Sequence, residues 1–182
     1  MALGATIYSF EITLNDADRG VYEALSFRVA RHPSETAEYL LTRVLAYCLE
    51  YTDGIQFSKG LSEPDVPALG VRDLTGLLLT WIDIGAPEAD RLRKATSSAR
   101  RVAVYSHRDV AALIERLSAA ALRRAEEIEI YAVDRDFLAA LTTRLDRRMS
   151  FDLSVSERHV YVSLGGESLS GQIEAHRLPR SR

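Results

Sequence analysis

The sequence contains little cysteine, tryptophan, methionine or proline, and the shortage of cysteine is the most informative. Its 182 residues include one cysteine, one tryptophan, two methionines and five prolines. The single cysteine, Cys48, excludes an intrachain disulfide and a cysteine-rich zinc cluster, and it occupies an apolar position of a helical pattern. A protein without disulfides fits a reducing compartment, so we expect a cytoplasmic location.

Long apolar runs and a strong net charge are also missing. No stretch approaches the roughly 18 apolar residues of a membrane span, and the amino-terminal residues lack the basic and apolar regions of a secretory signal. We therefore expect no membrane association. The formal net charge is −3, so any contact with nucleic acid must depend on a local basic patch.

Three common catalytic signatures are absent from the sequence. The histidines, which number four, are scattered without metal-ligand spacing, which argues against a zinc site. The segment "SLGGES" lacks the lysine of a phosphate-binding loop, and Ser97 and Ser98 lack the Gly-x-Ser-x-Gly context of a serine hydrolase. Any chemistry must therefore come from other charged residues.

The sequence does contain regular strand and helix patterns. With 47% hydrophobic residues, the chain can bury a core, and we predict a single domain over residues 1–175 followed by a polar tail over 176–182. Residue types alternate on both sides of the turn "NDADRG", which predicts an amino-terminal β-hairpin. Apolar residues at helical spacing then predict a helix over 35–51, starting near Pro33 and Ser34.

Further along, strands and helices alternate. A second hairpin is predicted through the turn "RDLTG", and helical patterns follow within 87–99, 108–124 and 134–148. This order predicts an α/β fold with a mixed β-sheet flanked by helices. We expect the 35–51 helix on one face of the sheet and the 108–124 helix on the other side or at the edge.

One apolar strand, Leu77–Ile84, carries a carboxylate near its end. An ionised Asp83 is costly to bury unless a cation or another partner lies beside it. Side chains alternate along a strand, so Trp81 and Asp83 share a face. A turn near residues 73–76 would bring Asp65 back toward Asp83, and two close carboxylates favour a hard divalent cation such as Mg²⁺ between them.

Two further residues complete the predicted site. Glu38 lies on the flank of the apolar stripe of the first helix, whereas Glu35 is expected to point further toward solvent. Lys94, on the helix after the strand, could orient or deprotonate a water or stabilise charge on a phosphate. The predicted site therefore has Glu38, Asp65 and Asp83 as metal ligands, Lys94 as the catalytic cation and Trp81 as a wall of the cleft.

Each of these residues also has an ordinary structural explanation. Asp65 could be a turn residue that bonds its own backbone, and Asp83 could cap the next helix. Glu38 could be a first-turn acid favoured by the helix dipole, and Lys94 could lie on a solvated helix face. Trp81 could be a core residue, or its ring could stack on a base beside an acidic site.

The order of these features resembles the PD-(D/E)XK nuclease-like superfamily. The segments "RHPSET", "QFSKGLSEPD", "DLTG", "WIDIG" and "RLRKA" are more specifically similar to the YaeQ family of small bacterial proteins, and the resemblance covers nearly the whole chain. It implies a restriction-endonuclease-like core with Asp65 and Asp83 at the acidic positions of the motif and Glu38 as the acid of the first helix. Gly85 stands where the motif has lysine, so Lys94 would replace that lysine from the helix.

Two hypotheses for function follow. The first is a phosphodiesterase or nuclease that depends on Mg²⁺ or Mn²⁺ and acts on nucleic acid. The alternative is a catalytically inactive protein of the same fold that binds nucleic acid or a protein partner, in transcription or repair. In either case we expect a monomer or a weak oligomer.

Overall fold

The computed structural model of the protein describes residues 4–59 and 63–180. Within them, ten strands form one sheet in the order β2-β1-β8-β9-β10-β7-β6-β5-β4-β3. The strands are β1 (Thr6–Asp16), β2 (Val21–Arg31), β3 (Ile55–Phe57), β4 (Leu69–Arg72), β5 (Leu78–Ile84), β6 (Arg101–Ser106), β7 (Ile128–Val133), β8 (Arg148–Ser156), β9 (His159–Leu164) and β10 (Glu167–Arg177). The helices are α1 (Ala37–Leu49), α2 (Ala89–Ser98), α3 (Val110–Ala119) and α4 (Arg135–Thr142). The predicted mixed α/β architecture is confirmed.

The amino-terminal hairpin of β1 and β2 is confirmed in its predicted place. The two strands pair antiparallel over their whole length, from Thr6 opposite Arg31 to Asp16 opposite Val21. Phe10, Ile12 and Leu14 alternate inward on β1 and are buried, which is the pattern of a sheet with one solvated face. On its other side, β1 pairs with β8, and these two strands run parallel.

Helix α1 runs through the interior of the curved sheet. Its buried positions point in all directions around the helix and are Leu40, Leu41, Thr42, Arg43, Val44, Leu45, Ala46 and Cys48. The sheet nearly closes around it, because Phe27 on the edge strand β2 lies 5.4 Å from Phe57 on the other edge strand, β3. The helix begins at Ala37, later than predicted, because the Thr36 side chain accepts the backbone N–H of Tyr39 at 3.1 Å and caps it.

The other helices divide between the two faces of the sheet. Strands β5, β6 and β7 run parallel, and α2 and α3 connect them. Leu92 of α2 and Leu113 and Leu117 of α3 pack on the face opposite α1. Helix α4 lies on the α1 side, and Asp134 caps it by accepting the Phe137 N–H at 2.9 Å. The α1 and α3 helices therefore lie on opposite faces, as predicted.

Two strands and the carboxyl-terminal boundary differ from the prediction. The short β3 lies in a segment for which the sequence predicts no strand, because three residues show no periodicity. Strand β10 was missed because most of its side chains are polar or small and face solvent. It continues through Arg177, and Leu178 is buried, so the folded body extends past the tail boundary predicted at residue 176. None of the helices in the described residues combines the length and apolarity that crossing a membrane requires.

Candidate functional site

The candidate site lies at the carboxyl edge of the parallel strands β5 and β6. Ligands in open α/β sheets bind outside this edge, where the loops after the strands meet the helix starts. Asp83 and Gly85 stand at the end of β5, and His107 follows the end of β6. The first turn of α1 reaches the same edge, because Tyr39 contacts the His107 ring edge-on at 6.3 Å between centroids.

Asp83 has a cationic partner, Arg91 of α2. The carboxylate is 2% exposed, and both of its oxygens accept from the guanidinium. Arg91 donates from Nε to Oδ2 and from Nη2 to Oδ1, each at 2.8 Å. The Ala68 N–H adds a longer bond of 3.4 Å to Oδ1. This two-bond geometry is the strongest way in which a protein neutralises a buried carboxylate.

Arg91 also holds the segment that carries Asp65. Its Nη2 donates to the carbonyl of Val66 at 2.8 Å, and its Nη1 donates to the carbonyl of Pro64 at 3.3 Å. These two carbonyls flank Asp65, so one guanidinium fixes the Asp65 segment against Asp83. One arginine therefore contacts both the Asp83 carboxylate and the backbone on either side of Asp65.

Lys94 lies one helical turn after Arg91 and pairs with Asp65. The two side chains are 41% and 72% exposed, respectively. Lys94 thus lies at the same edge of the sheet as Asp83, and its ammonium neutralises the second acid. A pair this exposed contributes little to folding, typically about 1 kcal/mol or less.

Glu38 does not join the other two acids. It is exposed in the first turn of α1, and its carbonyl accepts the Thr42 hydroxyl at 2.7 Å. The negative charge of Glu38 acts instead on His107, where it opposes the lowering of the histidine pKa. Among residues 4–59 and 63–180, no three acidic, histidine or cysteine side chains gather closely enough to hold a metal ion. The expected convergence of Glu38, Asp65 and Asp83 on one cation is therefore not present.

Glu35, expected to point to solvent, is instead buried. It is 4% exposed and pairs with Arg43 at 3.2 Å. Burial raises the pKa of Glu35, and the nearby Arg43 opposes that rise. The prediction was wrong because Glu35 precedes the helix, in a turn where its N–H donates to the His32 carbonyl at 2.9 Å. Arg43 also donates to the Ala30 carbonyl at 2.7 Å, so this pair links α1 to β2.

Trp81 shares the face of Asp83, as predicted, but it does not line an open cleft. Its side chain is fully buried with Leu92 and Ala95 of α2. The Arg91 guanidinium lies 5.4 Å from the ring centroid of Trp81, so the indole packs against that arginine in a cation–π contact. A ring covered in this way cannot stack on a base.

Gly85 has a backbone conformation that explains the missing lysine. Its φ is +88°, in a region that residues with a side chain avoid. Its N–H donates to the Tyr105 carbonyl at 2.8 Å, which fixes the end of β5 to β6. A lysine here would be strained, and the cations at this edge, Arg91 and Lys94, come from α2 instead.

Sequence reasoning missed Arg91, Tyr39 and His107. Arg91 stands three residues before Lys94, so both face the same side of α2, and that spacing was an available signal. His107 directly follows a buried strand. Its pKa is lowered by burial and by Arg108 and Arg135, while Glu38 opposes the shift. Burial raises the pKa of Tyr39 to about 12.

The arrangement does not fit a divalent cation. Both oxygens of Asp83 are bonded to Arg91, and Asp65 is paired with Lys94. Mg²⁺ and Mn²⁺ require carboxylate oxygens of their own, and an arginine cannot lose its charge to release them. The two cations of α2 therefore occupy the places that the resemblance assigns to metal ligation.

Comparisons with known proteins agree with one another. The family described as "YaeQ protein" matches residues 1–173. The chain is 32% identical over 183 aligned residues to "Uncharacterized protein YaeQ" of Escherichia coli (strain K12) and to that of Salmonella typhi, covering 98% of this chain and 99% of each relative.

Two solved structures have the same fold. The YaeQ protein from Pseudomonas syringae is 34% identical with a TM-score of 0.88, over 97% of this chain and 98% of that one. The YaeQ protein from Xanthomonas axonopodis pv. citri is 33% identical with a TM-score of 0.86, over 96% and 99%. Since family, relatives and structures match nearly the whole chain, this protein belongs to the YaeQ family.

Proposed function

We propose that this protein binds nucleic acid without cleaving it, through the carboxyl edge of β5 and β6. In this proposal its core is that of the PD-(D/E)XK nuclease-like superfamily, and its two motif acids serve structure. The supporting observation is the double bond from Arg91 to the buried Asp83. A carboxylate whose two oxygens are both held by a permanent cation is a poor ligand for a metal and has little capacity left to position a water.

The charges around His107 favour nucleic acid over a protein partner. Arg108 and Arg135 are both exposed and line the same pocket beside the ends of β6 and β7, and both lower the pKa of His107. Within the described residues, neither forms an ion pair with a carboxylate. We call them the edge arginines. Free guanidinium groups at a strand edge match the phosphates of a nucleic acid backbone.

The test is binding of a fluorescein-labelled DNA duplex and of the RNA of the same sequence, measured by anisotropy across a salt series. Replacing the edge arginines, Arg108→Gln with Arg135→Gln, should weaken binding and reduce the slope of log affinity against log salt by about 1 for each lost phosphate contact. Arg28→Gln with Arg148→Gln is the matched control, since these exposed arginines flank Ser9 on two other strands. Absence of binding, or an equal loss in the control, would contradict the proposal.

A second candidate is the phosphodiesterase that depends on Mg²⁺ or Mn²⁺. It is favoured by the position of the Asp65 segment against Asp83 and by the Lys94 ammonium beside Asp65. It requires a different arrangement in which Arg91 releases Asp83.

Isothermal titration with Mn²⁺ separates the two candidates. If the protein binds nucleic acid without cleaving it, we expect no heat of specific Mn²⁺ binding from the wild type or from Asp83→Asn. Binding by the wild type that Asp83→Asn removes, together with cleavage of the labelled DNA, would establish the second candidate in place of the first.

A further inference from the structure

A cavity of about 480 Å³ opens at the other end of α1. Its walls come from the β1–β2 loop, the end of α1, and the inner faces of the strands on both sides. They include Asp18, Glu50, Arg101, Tyr105, Tyr131 and Arg158, together with apolar side chains of the strands. The volume falls within the range of small-molecule sites, and the mixture of apolar walls with a few polar groups is typical of them.

Most polar groups of this wall already have partners. Arg101 bonds Glu50 through Nη1 at 2.5 Å and Nη2 at 3.0 Å, and it bonds Glu129 through Nε at 3.0 Å. The hydroxyls of Tyr105 and Tyr131 donate to these two carboxylates at 2.7 and 2.9 Å. Such a network fixes the shape of the wall and leaves its acids neutralised.

Arg158 is the exception. Its guanidinium lies 5.3 Å from the centroid of the Tyr131 ring. No carboxylate in the described part of the chain forms an ion pair with it. An arginine stacked on a tyrosine at a cavity, with its donors unpaired, is available to bind an anion.

The backbone that presents Arg158 is strained. Glu157 and Arg158 form the two-residue turn between β8 and β9, with φ of +52° and +59°. Asparagine and glycine are the usual residues of such turns, because larger side chains disfavour positive φ. Asp18 holds the turn by accepting both backbone N–H groups, at 2.7 and 2.8 Å. Strain retained at a cavity indicates a role beyond folding.

We propose that this cavity binds a small organic anion, with Arg158 binding its phosphate or carboxylate group and the apolar walls receiving its body. The charge of Arg158 selects an anionic ligand, since Glu50 and Glu129 of the network are already paired with Arg101 and Arg177. This inference does not depend on the proposed function, because the two sites share no residue.

The test is isothermal titration with charged and neutral probes in matched pairs. Phenyl phosphate and AMP represent the phosphates and benzoate the carboxylates, while phenol, adenosine and benzamide are their neutral counterparts. We expect at least one anion to bind and its neutral counterpart not to bind. The pair that responds identifies the anionic group. Failure of all three anions would overturn the proposal.

Two turn variants separate binding from folding. Arg158→Asn suits a positive φ, so the melting temperature should stay equal or rise while anion affinity falls about tenfold or more. Glu157→Asn is the matched control, because it relieves the same strain and keeps Arg158, so affinity should not change. Equal affinity in Arg158→Asn, or an equal loss of affinity in Glu157→Asn, would each show that Arg158 is not the anion-binding group.

Discussion

The two ends of α1 use arginine in opposite ways. At the first-turn end, Arg91 neutralises Asp83 completely, and the acid that the resemblance assigns to metal binding has no free oxygen. At the last-turn end, Arg101 and Arg177 pair with Glu50 and Glu129, while Arg158 has no acidic partner in the described residues. The difference teaches that an acidic motif does not by itself make an acidic site. What counts is which charge remains unpaired after folding.

The largest expected effect comes from the last-turn end. Arg101→Gln would leave the largely buried Glu50 without its cation and Glu129 with only the longer contact to Arg177. We expect the free energy of unfolding to fall by about 3 kcal/mol, measured by urea denaturation. Adding Glu50→Gln and Glu129→Gln should recover part of this loss. If Arg101→Gln alone leaves the free energy of unfolding unchanged, the network does not fix the cavity wall.

At the first-turn end, Arg91→Gln removes the cation of a single carboxylate. Asp83 is more deeply buried than Glu50 or Glu129, but only one charge is left unpaired, so we expect a loss of about 2 kcal/mol. Asp83→Asn in the same chain should recover most of it, as a double-mutant cycle would show. Independent, additive losses would mean that the two residues do not form the pair described above.

His107 should make stability depend on pH. Burial and the edge arginines lower its pKa below the ordinary value of 6.5, and Glu38 opposes them. As the pH falls below about 6.5, the unfolded chain therefore binds a proton before the folded chain does, and stability is lost until the lower folded pKa is passed. His107→Gln should flatten this dependence in melting temperatures taken across pH 5 to 7.5, roughly the range in which histidine titrates. If the melting temperature of His107→Gln changes with pH as steeply as that of the wild type, the pH dependence comes from another group.

The smallest effect is expected for the exposed pair at the same edge. Lys94→Gln or Asp65→Asn should change the free energy of unfolding by about 0.5 kcal/mol or less, because both side chains are well solvated. Their melting curves should therefore nearly superimpose on the wild type. A large loss from either variant would show that the Asp65 segment depends on Lys94 rather than on Arg91.

The sequence could predict the need for a partner at Asp83 but not its identity. Alternation placed Trp81 and Asp83 on one face, and buried charge required a cation. The choice between metal and arginine depends on how α2 is rotated over the strand, which periodicity alone does not fix. Glu35 was assigned to solvent because a helix pattern was extended past the true start at Ala37.

The cavity at the last-turn end could not be predicted for a different reason. Its walls join the β1–β2 loop, the end of α1 and the β8–β9 turn, which are far apart in the sequence. Within the described residues, the Glu157–Arg158 turn is the one wall segment with an unusual local feature, since neither residue is typical of a turn with positive φ. Side chains brought together by curvature of the sheet carry no shared spacing.

The most direct test of the central claim, that Arg91 rather than a metal neutralises Asp83, is anomalous diffraction from crystals of the protein soaked in MnCl₂. We predict unbroken density from the Arg91 guanidinium to both oxygens of Asp83 and no manganese peak at either motif acid. A peak within about 2 Å of oxygens from Asp65 and Asp83, with Arg91 turned away, would contradict the account and restore the metal-dependent enzyme.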